Sequence, residues 1–124
     1  MEKTVLLSGA SGFIAGHVIE QLLAAGHRVI GTVRDPGAKA KNAHLAAMPG
    51  ADRLTLVAAD LTAPDPFTDH ADVDVIMHLA SPYVINVKDP QRDLVDPAVQ
   101  GTLSMLRAAA TSRRVKRVVL TSSF

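Results

Sequence analysis

Thr4-Val5-Leu6-Leu7-Ser8-Gly9-Ala10-Ser11-Gly12-Phe13-Ile14-Ala15 joins a short apolar run to a helical one through two glycines, and everything downstream is laid out around that junction. An apolar strand that ends in a glycine turn and opens a helix is the start of a βαβ unit. Gly9 permits the tight turn, and Gly12 lets the backbone come close to a phosphate. Ala15 is small enough for the helix to pack on its sheet. The amides of the helix's first turn and its dipole then face negative charge, so the turn reads as a cradle for a pyrophosphate. Its spacing is Gly-x-x-Gly-x-x-Ala, whereas the commonest dinucleotide fingerprint is Gly-x-Gly-x-x-Gly. The alternative is a glycine-rich turn with no ligand. The strand before it and the helix after it favour the ligand.

Outward from the turn, strand-like and helix-like segments alternate. Ile14, Val18 and Leu22 recur every four residues, flanked by Phe13, Ile19 and Leu23, and predict one broad apolar helix face closed by Gly26. His27 to Val33 reads as the second strand, Asp35-Pro36-Gly37 as a turn and Ala38 to Met48 as a short helix. Leu54 to Ala58 is the third strand, Thr62 to Ala71 a loop or short helix, and Val73 to Leu79 a buried fourth strand. A long helix is predicted over Gln91 to Ser112, with Pro90 and Pro97 near its start and Val95, Val99, Leu103, Leu106 and Ala110 at helical spacing. Val115 to Thr121 is the fifth strand. The pattern predicts an α/β fold, a doubly wound parallel sheet of Rossmann type in the order 3-2-1-4-5, truncated after the fifth strand. Residues 1–124 are expected to form one NAD(P)-binding domain, incomplete and without a substrate domain.

The dinucleotide is read at the end of the second strand. An NAD site usually places an acidic residue there for the ribose 2′-hydroxyl. Here Arg34 precedes Asp35, and a guanidinium can fork onto a 2′-phosphate. Lys39 and Lys41 follow near the same corner. NADP is therefore expected ahead of NAD, with Asp35 keeping NAD open and a solvated surface arginine as the plain alternative for Arg34.

Composition narrows the function further. With 48% hydrophobic and 20% charged residues and a net charge of +1, nothing suggests nucleic acid or a membrane as partner. The absence of cysteine excludes disulfides, thiolate metal sites and cysteine nucleophiles. His17, His27, His44, His70 and His78 lack metal-ligand spacing, so no metal is expected. Arg113, Arg114, Lys116 and Arg117 read as a solvated helix–strand turn. No apolar run is long enough to span a bilayer, and Met1-Glu2-Lys3 leads into a core strand, so a cytoplasmic protein is expected.

Several segments together resemble the extended short-chain dehydrogenase/reductases, the NAD-dependent epimerase/dehydratase-like family. They are the glycine turn itself, Gly31-Thr32-Val33-Arg34-Asp35-Pro36, Ala59-Asp60-Leu61, His78-Leu79-Ala80-Ser81-Pro82, Gln100-Gly101-Thr102 and Arg117 to Ser123. The similar branch contains dihydroflavonol reductase, cinnamoyl-CoA reductase and the yeast methylglyoxal reductases. The resemblance implies that Gly9, Ser11, Gly12, Phe13 and Ile14 line the pyrophosphate, and that Arg34, with Lys41, meets the 2′-phosphate. It implies Asp60 and Leu61 at the adenine, and Leu79, Ala80, Ser81 and Thr121 along the nicotinamide side. Pro82 and Tyr83 would edge the substrate pocket, and Ser123 would be the catalytic serine. Gln100 departs from the asparagine of many members. Read from the residues alone, Asp60 could equally cap a helix, Ser81 precede a proline turn, and Ser122-Ser123 start a helix.

The family's hydride chemistry on a carbonyl substrate needs a tyrosine as proton donor and a lysine one helical turn on, Tyr-x-x-x-Lys. The sole tyrosine, Tyr83, has Lys88 five residues later, so the motif is absent from these 124 residues. The chain is expected to be the cofactor-binding part of an NADPH-linked carbonyl reductase, inactive alone. Its uncovered fifth strand is expected to associate with itself or with a complementary C-terminal piece. The alternatives are a non-catalytic NAD(P)-binding regulatory module and a fragment of an NAD-dependent sugar epimerase or dehydratase, against which Arg34 speaks.

Overall fold

Parallel pairing organises the structure, a computed structural model that describes residues 2–61, 63–80 and 88–121, without the Lys41 side chain. Five strands, β1 (Thr4–Ser8), β2 (Arg28–Val33), β3 (Leu54–Ala58), β4 (Val75–His78) and β5 (Arg117–Leu120), form one sheet in the order β3-β2-β1-β4-β5. That is the predicted order. Leu6, Ile30 and Ile76 lie in register on one face of the sheet and Leu7 is buried on the other, so the central strand is apolar on both faces.

Helices α1 (Phe13–Ala24) and α2 (Lys39–Ala46) cover one face, where Leu7, Val29 and Val33 meet Ala15, Ile19, Leu23 and Leu45. Helix α3 (Asp96–Thr111) covers the other, where Leu6 and Ile76 meet Phe67, Met105 and Ala108. At the end of α1, Gly26 has φ +88°, its amide donates to the Leu23 carbonyl and that of His27 to the Leu22 carbonyl. This left-handed closure satisfies the last carbonyls, as Gly26 predicts.

Two helix faces differ from expectation. In α1 the buried positions are Ala15, Gly16, Ile19 and Leu23, one step round from Ile14, Val18 and Leu22. Small residues at the start let the helix lie close to the sheet, which turns its larger neighbours outward. In α3 the buried positions are Gly101, Ser104, Met105 and Ala108, and the predicted stripe of Val95, Val99, Leu103 and Leu106 is exposed. The long helix is also shorter than predicted. Gln91–Val95 forms a π-helical turn before it, capped by the Asp89 carboxylate, which accepts from the amides of Gln91 and Arg92 at 3.1 and 3.3 Å. Pro97 then falls within the first turn of α3, where its missing N–H costs nothing. Strand β4 is shorter than the predicted Val73 to Leu79, and Thr68–His70 is a single 3-10 turn inside the segment left open as loop or short helix.

Opposite the glycine turn, Arg114 ties three strand approaches together. Its guanidinium donates to both Asp74 carboxylate oxygens at 3.1 and 3.2 Å, to the Asp72 carbonyl and to the Thr4 hydroxyl. The reading of Arg113 to Arg117 as simply solvated is corrected for this residue. It is held by opposite charge that the sequence places 40 positions away.

Candidate functional site

The carboxyl ends of β1 and β4 lie side by side, with Ser8 paired to His78, and the chain leaves them for opposite faces of the sheet. This reversal of strand order is where an open α/β sheet holds a ligand. The turn after β1 is fixed from three sides. The Ala10 amide donates to the Thr32 carbonyl at 2.9 Å, that of Gly9 to the Thr32 hydroxyl at 3.3 Å, and that of Gly12 to the Gly9 carbonyl at 3.0 Å. Gly9 has φ +71°, and a Cβ there would lie 3.0 Å from the Ala80 Cα. A Cβ on Gly31 would come within 2.8 Å of the Ala10 Cβ, so the turn rests directly on β2.

Gly12 caps α1 in extended geometry and supplies no side-chain bond to the first-turn amides, and no acidic side chain stands there. Those amides have no helical partner and point outward at the rim. Phe13 and Ile14 are 82% and 61% exposed beside them, which is unusual for large apolar side chains and suits a ligand lying across the turn. Ser11 is likewise exposed. The cradle fits a pyrophosphate: a glycine backbone with uncapped amides and a helix dipole behind them.

At the end of β2 the two candidates separate. The Asp35 carboxylate accepts from the Gly37 amide at 2.9 Å and closes its own turn, while Asn42 is buried beneath and donates to the Asp35 carbonyl at 3.1 Å. Arg34 is exposed and, among the described residues, has neither ion pair nor hydrogen bond. The guanidinium is thus the group left for a ligand. Asp60 is exposed just beyond β3, its carbonyl accepting from the Ala63 amide at 3.0 Å. Leu61 packs against α3, where a Cβ on Gly101 would meet its Cδ2 at 2.7 Å; the Gln100-Gly101-Thr102 segment owes its glycine to that contact.

Beyond β4, the amides of Leu79 and Ala80 both donate to the Ser8 hydroxyl at 3.0 Å. That hydroxyl also pairs with His78 Nδ1 at 2.8 Å, in a fully buried contact. The imidazole lies edge-on to Phe67, and burial holds its pKa below the ordinary 6.5. Thr121 extends β5 by donating its amide to the His78 carbonyl at 3.1 Å. Ser81, Pro82, Tyr83 and Ser123 lie outside the described residues, as does the Lys41 side chain. Sequence reasoning missed Ser8, Thr32, Asn42 and the role of His78. A polar residue on the inward face of a core strand, as Ser8 is two places after Leu6, is a signal that could have found the first, because a buried hydroxyl demands partners.

Residues 5–124 match the NAD dependent epimerase/dehydratase family. The chain belongs to it. Relatives within reach of this family include tetraketide alpha-pyrone reductase 1 of Arabidopsis thaliana, 45% identical over 122 residues, which cover 96% of this chain and 37% of the relative. A cinnamoyl-CoA reductase of Medicago truncatula is also 45% identical, over 98% of this chain and 38% of its own length. Among solved structures, yeast methylglyoxal/isovaleraldehyde reductase Gre2 complexed with NADPH superposes with a TM-score of 0.84 at 32% identity, over 97% of this chain and 37% of that one. Gre2 of Candida albicans, also in complex with NADPH, gives 0.82 at 40% identity over 97% and 37%. The epimerase/dehydratase chain thus spans a little over a third of the length of these relatives, and its sheet order is that of a Rossmann-type fold.

Proposed function

We propose that the chain is the NADP-binding part of a carbonyl reductase, which takes hydride from NADPH to a small aldehyde or ketone. The observation that carries this is the division of labour at the end of β2, where Asp35 turns a carboxylate oxygen onto the Gly37 amide and Arg34, among the described residues, has no partner. The acidic side chain is thereby drawn back onto its own turn, and a donor for a 2′-phosphate is offered. NADPH-bound relatives at 32% and 40% identity support the same choice.

On this reading the amides of Phe13 and Ile14 bind the pyrophosphate, with Gly9, Ser11 and Gly12 lining it. Arg34 and Lys41 hold the 2′-phosphate, and Asp60 and Leu61 the adenine. Leu79, Ala80, Ser81 and Thr121 border the nicotinamide, which supplies the hydride. Pro82 and Tyr83 edge the carbonyl pocket, and Ser123 donates a hydrogen bond that polarises the carbonyl oxygen. These 124 residues offer no Tyr-x-x-x-Lys to deliver the proton, so binding rather than turnover is the activity to measure.

The test titrates NADP+ and NAD+ against the chain and against Arg34→Asp. The parent should prefer NADP+, and the substitution should cost at least about tenfold in NADP+ affinity, the scale of a charge-assisted hydrogen bond. Equal binding of both dinucleotides, unchanged by the substitution, would sink the assignment.

A further inference from the structure

Ser8 has one proton and two lone pairs. The Leu79 and Ala80 amides, both 3.0 Å away and both obligate donors, take the two lone pairs. The hydroxyl proton is then left for the third neighbour, His78 Nδ1 at 2.8 Å. Nδ1 must accept, so the ring is neutral and carries its proton on Nε2.

We propose that His78 is a positioning residue: by accepting the Ser8 proton at Nδ1 it aims both Ser8 lone pairs at the Leu79 and Ala80 amides and holds the end of β4 against the glycine turn. The tightness of that junction makes the aim matter. The Ala80 backbone occupies the space a Cβ on Gly9 would need, 3.0 Å from the Ala80 Cα, so a shift of Ala80 changes the spacing between the two walls of the rim. Protonation of Nδ1 would set an N–H against the hydroxyl, which could accept it only by giving up one of the two amides. Ser8 from β1 is bonded to the ring and Phe67 from the covering loop lies edge-on to it, while Leu120 of β5 stands in register beside His78 across the strand pair. Among the described residues no charged group perturbs it, and burial is what opposes its protonation. The arrangement ties the geometry of the nicotinamide side to one proton, and its bearing on cofactor rests on the proposed function.

The experiment has two arms on the full chain. In the first, nitrogen NMR of His78 at neutral pH should show protonated Nε2 and unprotonated Nδ1, and the protection of the Leu79 and Ala80 amides against hydrogen exchange, relative to their intrinsic rates at each pH, should fall as the pH falls and the ring protonates. In the second, NADP+ affinity is measured across the same pH range for the parent, His78→Asn, Ser8→Ala and Ser8→Thr. The asparagine amide keeps an acceptor near the place of Nδ1 but does not titrate. The ratio of parent to His78→Asn affinity, in which titration of the ligand cancels, should fall with pH. Ser8→Ala should lose about tenfold at neutral pH, the effect of a lost hydrogen-bonding pair, and Ser8→Thr should restore it. A proton on Nδ1 at neutral pH overturns the proposal, and so does a ratio flat with pH. If the parent binds no NADP+ at all, the cofactor reading falls, while the tautomer and the amide exchange still decide the role of His78.

Discussion

Two glycines with left-handed backbones separate the cost of conformation from the cost of contact. Gly26 has φ +88° with nothing within 4 Å of a Cβ, whereas Gly9 has φ +71° and the Ala80 backbone 3.0 Å away. Gly26→Ala should therefore lose only the left-handed penalty, about 1–2 kcal/mol. Gly9→Ala pays that penalty and also pushes the end of β4, which cannot yield as a side-chain tip can. It should be the more destabilising of the two in urea unfolding and alone should weaken NADP+ binding. Equal losses from both, with binding untouched, would show that the Gly9–Ala80 approach is not needed. Such glycines were legible in the sequence because a forbidden backbone leaves a compositional trace. The Ser8–His78 bond leaves none: an inward Ser8 on a core strand asks for some partner, but nothing in the sequence names one 70 positions away.

At the scale of elements, order and type could be read because apolar runs and turn residues are local, and the sheet order followed from right-handed crossovers. What could not be read was which way a helix faces. Along α3 and the turn before it the bulkier residues, Val95, Val99, Leu103 and Leu106, mark a stripe at helical spacing as regular as the one that is buried. The buried face is built of Gly101, Ser104, Met105 and Ala108, with the Ser104 hydroxyl donating to the Gly101 carbonyl at 2.8 Å. Small residues bring the helix axis close enough for Met105 to reach Phe67 and Ile76, and proximity outweighs side-chain size. Met105→Ala should then cost about 2–5 kcal/mol as a cavity in a packed core. Leu106→Gln, on the exposed stripe, should stay within about 0.5 kcal/mol. Chemical denaturation of the two variants distinguishes the faces, and the reverse order of losses would restore the orientation that periodicity alone predicts. The rim was legible in the same partial way. Its glycine turn could be read from the sequence, but the capture of Asp35 by Gly37, beside an exposed Arg34, is a matter of turn geometry that spacing cannot express.

Across the whole molecule the two ends of the sheet respond to different protons. At the rim, burial depresses the His78 pKa below its ordinary 6.5, so on acidification the unfolded chain takes up this proton before the folded one does. Its contribution to stability is full above that value and is lost progressively as the pH falls below it towards the lower folded pKa. At the opposite end, the Arg114 guanidinium and then the Thr4 amide hold the Asp74 carboxyl below its ordinary 3.8. In the turn before α3, Asp93 is likewise held low by Arg92 and by the Asp89 amide. These carboxylates stabilise the fold above the ordinary value, and that stability disappears as the pH falls through their lower folded pKa values. Melting temperature against pH should therefore decline in two limbs, one beginning near 6.5 and one below 3.8. His78→Asn should flatten the upper limb and leave the lower one. Asp74→Asn should lower stability throughout the neutral range and shrink only the lower limb, because its bond to Arg114 is lost at every pH. If His78→Asn leaves the upper limb intact, the proton responsible lies elsewhere, and the rim is not where the molecule senses mild acid.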